Sequence, residues 1–325
     1  MSQQSGYGDD EYSEDARRAI RSLVGNNEAS IFFTAGGTGA NLLSVASHLR
    51  PHEAVISAQL GHIVAHEAGS VEATGHKVLT APGVHGKLTP EQIQSVVDRT
   101  NLFTFAEPKP KMVFISNPTE VGTVYTKSEL AAVAAVCKKL GLLLLMDGAR
   151  LGAALTCSKN DMTLKDIYDL TDIFWIGGTK NGALLGEAIV IKDPASAADF
   201  PYHMKQRGAL LAKGRVLGIQ FRTLLKDDLF FRLARHANST AAELSSSLEK
   251  MGFEFWAETE SNQVFPIFSP ALVQELEKGF NFYVWEHLDD GALVVRLVTS
   301  WATEPAQVKK FCNAVEDWSK RSKVL

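Results

Sequence analysis

The chain has 325 residues, more than one compact core usually holds, so a large domain with a smaller companion is the default. It is 45% hydrophobic and 22% charged, an ordinary globular composition. Its net charge of −4 argues against nucleic acid as the main partner, because a phosphate backbone needs clustered Lys and Arg.

Cys137, Cys157 and Cys312 lie far apart, without the spacing of a disulfide framework or a zinc site, which fits a reducing compartment. The opening MSQQSGYGDDEYSED is polar and acidic and has no apolar signal core. The apolar runs at 130–137 and 142–146 are too short to cross a bilayer. A cytoplasmic protein with no membrane partner is expected.

From residue 29 to about 192, short β-branched or aromatic runs alternate with helical patterns. The strand-like runs are ASIFFT (29–34), AVISA (54–58), HKVLT (76–80), KMVFIS (111–116), LLLLMD (142–147), DIFWIGG (172–178) and EAIVIK (187–192). Residues 39–48, 61–74, 90–98 and 127–140 carry apolar residues at three- and four-residue spacing and are expected as helices. Several strand runs are apolar on consecutive residues rather than alternate ones. Such strands are covered on both faces, as in the largely parallel sheet of an α/β domain. After Asp193 the character changes: 195–250 reads as long helices, including an amphipathic stretch at 228–251. FEFWA (253–257), QVFPIF (263–268), YVWEHL (283–288) and ALVVRLV (292–298) follow, with a closing helix over 304–320. This predicts a large α/β domain over 1–225 and a small C-terminal α+β domain over 226–325.

Three segments at strand ends could carry chemistry, since open α/β sheets place ligands there. AGGTGAN (35–41) follows a strand and opens a helix, so its glycines and free N–H groups could receive an anion, or form only a tight turn. A dinucleotide site is poorly supported, because the GxGxxG spacing is not met. MDGAR (146–150) puts Asp147 at the end of an apolar strand, where a carboxylate is costly unless paired. That Asp either caps a helix or bonds a protonated ring nitrogen. IGGTKNG (176–182) puts Lys180 in a glycine-lined, apolar setting that lowers an ammonium pKa and frees a Schiff-base nucleophile. A glycine-rich cradle, a strand-end Asp and then a strand-end Lys is the order of parts that a pyridoxal 5'-phosphate site on such a fold requires.

The block YGDDEY (7–12), with GGTGAN (36–41), GHIVAHEAG (61–69), ATGHKVL (73–79), DGARL (147–151), IGGTKNGALLGEA (176–188), KQRGALLAKGRVLGIQF (205–221) and VRLVTSWAT (295–303), resembles the threonine aldolase family of β-eliminating-lyase-like enzymes. The resemblance spans nearly the whole chain. It implies an aspartate-aminotransferase-like fold (fold type I), pyridoxal 5'-phosphate, and cleavage of L-threonine or L-allo-threonine to glycine and acetaldehyde. Position by position it gives Lys180 as the Schiff-base lysine and Asp147 as partner of the pyridine nitrogen. His62 becomes the histidine stacked on the cofactor ring, and Gly37 and Thr38 phosphate binders. Arg150 and Arg296 are the arginines near the substrate carboxylate, where two-pronged guanidinium bonding suits the geometry. Lys205 and Lys213 align with basic residues near a phosphate or a neighbouring subunit's site. Glu67 either positions His62 or transfers protons, and no metal is implied. His76 and His85 are expected at the surface, and Met146 in the core.

Family members usually carry a longer leader, bringing a small polar residue to the substrate carboxylate, whereas six residues precede Tyr7 here. A more open carboxylate pocket is the expectation. The same constellation also serves racemisation or β-elimination, because the bond broken depends on which Cα substituent stands perpendicular to the ring. A non-catalytic paralogue is a further alternative, against which the joint presence of Asp147, Arg150, Lys180 and Arg296 argues. The expected partners are a small amino-acid substrate and further copies of the chain, as a homodimer or homotetramer.

Overall fold

The computed structural model describes residues 3–322. Seven strands, β1 (Ser30–Thr34), β2 (Glu53–Ala58), β3 (Val78–Ala81), β4 (Lys109–Ser116), β5 (Leu143–Asp147), β6 (Ile173–Gly177) and β7 (Glu187–Ile191), form one sheet in the order β1-β7-β6-β5-β4-β2-β3. Each strand run read from the sequence falls on one of them. Only β7 runs antiparallel to its neighbours; the remaining pairs are parallel.

Consecutive apolar residues feed two separate cores. Ile56, Val113, Leu144, Met146, Phe174, Ile176 and Val190 point to one face. Val55, Met112, Phe114, Leu145, Trp175 and Ile189 point to the other. The period of two along a strand explains this split, and helices on both faces complete the sandwich. The helices Pro90–Asn101 and Lys127–Leu140 both begin in capping boxes, Thr89 with Gln92 and Thr126 with Glu129. Asp10, within the YGDDEY block, caps the helix Glu11–Val24 by accepting the Ser13 N–H.

The C-terminal part holds β8 (Phe255–Ala257), β9 (Gln263–Phe268), β10 (Tyr283–His287) and β11 (Leu293–Val298), an antiparallel sheet ordered β10-β11-β9-β8. Helices Leu229–Lys250, Pro270–Leu276 and Pro305–Ser322 close a core around Leu248, Phe268, Val295 and Val315. A further apolar cluster joins Phe265, Val294 and Trp285 of this sheet to Leu60 and Val121 beside the main sheet. The small sheet is thereby brought to the ends of the parallel strands.

Three expectations need correction. Residues 61–74 are not one helix: a single turn spans His62–Ala65 and a 3-10 turn Glu72–Thr74, with Ala68 and Gly69 in the left-handed region between them. Long helices over 195–250 resolve into Phe200–Gln206, Arg215–Leu224 and Leu229–Lys250, broken at Gly208 (φ 69°) and at Asp227 and Asp228. His76 is buried, its ring between Thr74 Oγ1 and the Leu49 carbonyl, whereas His85 is exposed as expected.

Candidate active site

Parallel strands end with their carbonyl ends on one edge, and the loops leaving that edge hold the polar residues. Asp147, the last residue of β5, is buried. Its Oδ1 accepts the Ala149 N–H at 2.9 Å and its Oδ2 the Asn41 amide at 2.8 Å. Burial pushes its pKa up, and these hydrogen bonds oppose the rise. Asn41 is the hub of the buried network. Its Nδ2 also donates to Glu67 Oε1 at 2.7 Å, while its Oδ1 accepts the Trp175 indole N–H at 2.9 Å. Every polar hydrogen and the carbonyl of that amide therefore have a fixed partner, which sets the orientation of both carboxylates.

Glu67 Oε1 in turn lies 2.8 Å from His62 Nδ1, and Glu67 Oε2 accepts from Ser70 Oγ at 2.7 Å. The hydrogen bond that His62 donates to Glu67 raises the His62 pKa against the opposing effect of burial. With Nδ1 engaged, Nε2 is the ring atom left for a ligand. Beyond His62 the wall continues through His66 and Trp285 of β10, with ring centroids 5.6 Å apart at each step. Arg296 of β11 stacks its guanidinium over Trp285 at 5.2 Å.

Lys180 sits in the one-turn helix Thr179–Asn181 after β6. Solvent reaches its side chain, yet the surrounding protein desolvates the ammonium; that burial, then the Arg150 charge, lowers its pKa. Asp147 and Glu187 oppose the shift. Glu187, on β7, accepts the Gly178 N–H at 3.0 Å, and burial raises it to about 7. Arg150 is lowered to about 9 by burial and by Arg296. Among the described residues its guanidinium has no hydrogen-bond or ion-pair partner. Arg296 donates to Gln263 Oε1 at 2.5 Å, but among the described residues its buried Nε has no acceptor.

Gly37 and Thr38 open the helix Gly37–His48, whose N-cap Gly36 supplies no side-chain cap. The glycine at 37 has a packing reason: a Cβ there would lie 2.8 Å from the Trp175 ring. Thr38 is exposed at the helix start. Lys213 is exposed in the loop before Arg215–Leu224, and among the described residues no hydrogen bond or ion pair links it to the others. That loop packs instead on the chain start, Tyr7 N–H donating to the Ala212 carbonyl at 3.2 Å, while Lys205 stacks over the Tyr7 ring. The structure thus sets Lys180, Asp147, His62, Arg150 and Arg296 within electrostatic reach of one another, and among the described residues no hydrogen bond or ion pair joins Lys213 to them.

A model of the beta-eliminating lyase family matches residues 1–270. The chain belongs to this family. Over 311 residues it is 39% identical to the low specificity L-threonine aldolase of a Pseudomonas species, covering 94% of this chain and 87% of that one. The Pseudomonas aeruginosa protein of the same name is 35% identical over 316 residues, 95% of this chain and 88% of the other. The solved Leishmania major threonine aldolase superposes with a TM-score of 0.95 at 46% identity, covering 98% of this chain and 92% of that one. A serine palmitoyltransferase from Sphingomonas wittichii, at 15% identity and a TM-score of 0.72, shares the fold alone.

The functional residues that the sequence did not disclose are Asn41, Glu120 and Glu187, all buried. Asn41 left a signal, a polar side chain inside the apolar run of a helix. Glu120 and Glu187 look like ordinary loop and strand-start acids until burial is known. His62, Glu67 and Asp147 present ligand atoms within 4.8 Å of one another. The Asn41 Nδ2 hydrogens point at both carboxylates from between them, so the gap already holds a donor that would repel a cation.

Proposed function

We propose that this chain is a pyridoxal-phosphate-dependent aldolase cleaving L-threonine and L-allo-threonine to glycine and acetaldehyde. The observation that carries the reading is a charge imbalance that a particular ligand would cure. Asp147 is a buried carboxyl with no ion-pair partner among the described residues, while Arg150 and the Nε of Arg296 lack acceptors. A ring cation at Asp147 and an amino-acid carboxylate at the arginines would satisfy all three.

When bound, pyridoxal phosphate supplies an electron sink for the pair released as Cα–Cβ breaks. Lys180 would hold it covalently through Nζ, its lowered pKa leaving more free amine near neutrality. Asp147 would keep a proton on the ring nitrogen. Thr38 and the uncapped N–H groups of the helix beginning at Gly37 suit the phosphate. His62 would stack on the ring and accept the β-hydroxyl proton at Nε2, Glu67 fixing the tautomer through Nδ1. The relatives named as L-threonine aldolases support the substrate class.

Assembly belongs to the same reading. Leu184, Tyr202, Val216 and Ile219 are exposed apolar residues, and Gln220 ties Leu184 to the Arg215–Leu224 helix by accepting its N–H at 2.6 Å. We read this as the face of a homodimer or higher homo-oligomer that brings Lys213 to the partner's site. Among the described residues no helix is long and apolar enough to cross a membrane, and the three cysteines are free, which suits a cytoplasmic enzyme.

The test is the purified chain with pyridoxal phosphate and a panel of L- and D-3-hydroxy amino acids plus L-alanine. Equal yields of glycine and acetaldehyde from L-threonine or L-allo-threonine are expected. Turnover of alanine stereoisomers without aldehyde release would replace the aldolase with a racemase.

A further inference from the structure

The short helix His62–Ala65 has Gly61 at its N-cap position, and no side-chain cap. A larger residue cannot stand there. A Cβ at 61 would lie 2.1 Å from Ser57 Oγ and 2.9 Å from the Ala58 carbonyl. The Ser, Thr or Asp that ordinarily caps such a turn is thus barred by the close approach of β2. Such a cap would serve the N–H groups of Ile63 or Val64; the His62 N–H, first in the turn, finds its acceptor in another loop: Glu120 Oε1, at 2.9 Å. The same oxygen accepts from Ser116 Oγ at 2.6 Å, and Ser116 pairs in register with Asp147 across β4 and β5.

We propose that Glu120 is a positioning residue, a cap supplied from a distance that anchors the His62 turn to the strand edge bearing Asp147. His62 is then pinned at two points, its backbone by Glu120 and its ring by Glu67. Neither bond alone fixes Nε2: without the first the turn can shift, and without the second the ring can rotate. Glu120 is buried, so the acceptor is not shared with bulk water, and its neighbour Val121 is locked in the apolar cluster with Leu60, the residue before Gly61. Asp147 on β5, Arg296 on β11 and the buried Tyr125 interact with it electrostatically. Burial lifts the Glu120 carboxyl to about 7, and a protonated carboxyl still accepts the His62 N–H, so the anchor does not depend on ionisation.

The inference deepens the reading of His62 as proton acceptor and rests on it for its kinetic arm. The experiment uses full-length holoenzyme with Glu120→Ala, Glu120→Gln and Ser116→Ala. It reads His62 amide hydrogen exchange, the His62 imidazole pKa by NMR, and steady-state kinetics on L-threonine. For Glu120→Ala, exchange at His62 rises about tenfold or more. The imidazole pKa falls towards the ordinary histidine value as the ring loosens from Glu67. The turnover number drops by about tenfold to a hundredfold with a smaller change in KM, because Glu120 makes no hydrogen bond or ion pair with either arginine among the described residues and acts on Arg296 only through its charge. Glu120→Gln keeps an acceptor oxygen and restores exchange protection and most of the turnover, which loss of packing alone would not predict. If Glu120→Ala does not fold, Ser116→Ala reads the same contact, with an intermediate rise in His62 exchange expected. Unchanged His62 exchange in whichever of these two variants folds overturns the proposal. So does a glutamine variant as damaged as the alanine one, which would assign the effect to charge. If wild-type protein fails to cleave threonine, the aldolase reading falls, while exchange and imidazole pKa still decide the role of Glu120.

Discussion

Three side chains make separable demands on any test of the chemistry. Lys180→Ala should abolish turnover and the visible absorbance of lysine-bound cofactor, with loss of borohydride trapping as the check. A trapped adduct in that variant would move the covalent link elsewhere. Asp147→Asn should still take up cofactor but lose about a hundredfold or more in turnover, because an amide cannot keep a ring nitrogen protonated. Its melting temperature must be measured too, since Oδ1 also holds the Ala149 N–H. For Glu67→Gln the sign follows from the His62 shift. A raised imidazole pKa means that the neutral, proton-accepting form appears only as pH climbs above the ordinary histidine value, so the acid limb of turnover lies high in wild type. Removing the Glu67 charge should move that limb to lower pH; a limb that stays in place would detach it from His62. Lys180 and Asp147 were legible because charge at the end of an apolar run stands out in sequence, whereas Arg150 and Arg296, the latter inside the strand Leu293–Val298, were named through the family resemblance alone. Glu120 and Asn41 were not legible, because their meaning lies in bonds to residues far along the chain.

At the level of elements, the strands were legible for a physical reason: a strand covered on both faces must be apolar at every position, and few helices or loops satisfy that. The 61–74 segment misled because its apolar residues keep helical spacing, while Ala68 and Gly69 adopt left-handed backbone that no helix continues through. The glycine-rich block at 36–39 was legible as a strand-to-helix turn, but one glycine serves packing. Gly37→Ala should therefore act on the element and not only on a bound anion. Its new methyl would meet the Trp175 ring at 2.8 Å, and displacing that ring strains the bond from Trp175 to Asn41. A loss of about 1–3 kcal/mol in stability is expected from such overpacking. Chemical denaturation of the cofactor-free protein measures it without reference to activity; wild-type stability would mean the helix start can yield.

For the whole molecule, a division at residue 225 remains our proposal. It falls between the helices Arg215–Leu224 and Leu229–Lys250, at the turn where Asp227 and Asp228 take positive φ. The division is not a separation of function, because Arg296 reaches the site from the small sheet while Lys180 and Asp147 come from the large one. Neither half holds a complete set of charges. The same reasoning extends to subunits. Lys213 is exposed, and among the described residues its ammonium has no hydrogen bond or ion pair; its segment is flanked by the exposed apolar residues Tyr202, Val216 and Ile219. If it serves the site across a two-fold axis, two inactive or impaired variants should complement each other. A hybrid of Lys180→Ala and Lys213→Ala subunits contains one site with an intact Lys180 from one chain and an intact Lys213 from the other. Its activity should be about half that of wild-type dimer, well above either parent. If Lys213 instead acts within its own chain, or not at all, the hybrid's single Lys180-bearing site is no better than a site of the Lys213→Ala homodimer. Co-expression with two affinity tags isolates the hybrid, and a turnover no higher than half that of the Lys213→Ala homodimer would remove Lys213 from the partner's site.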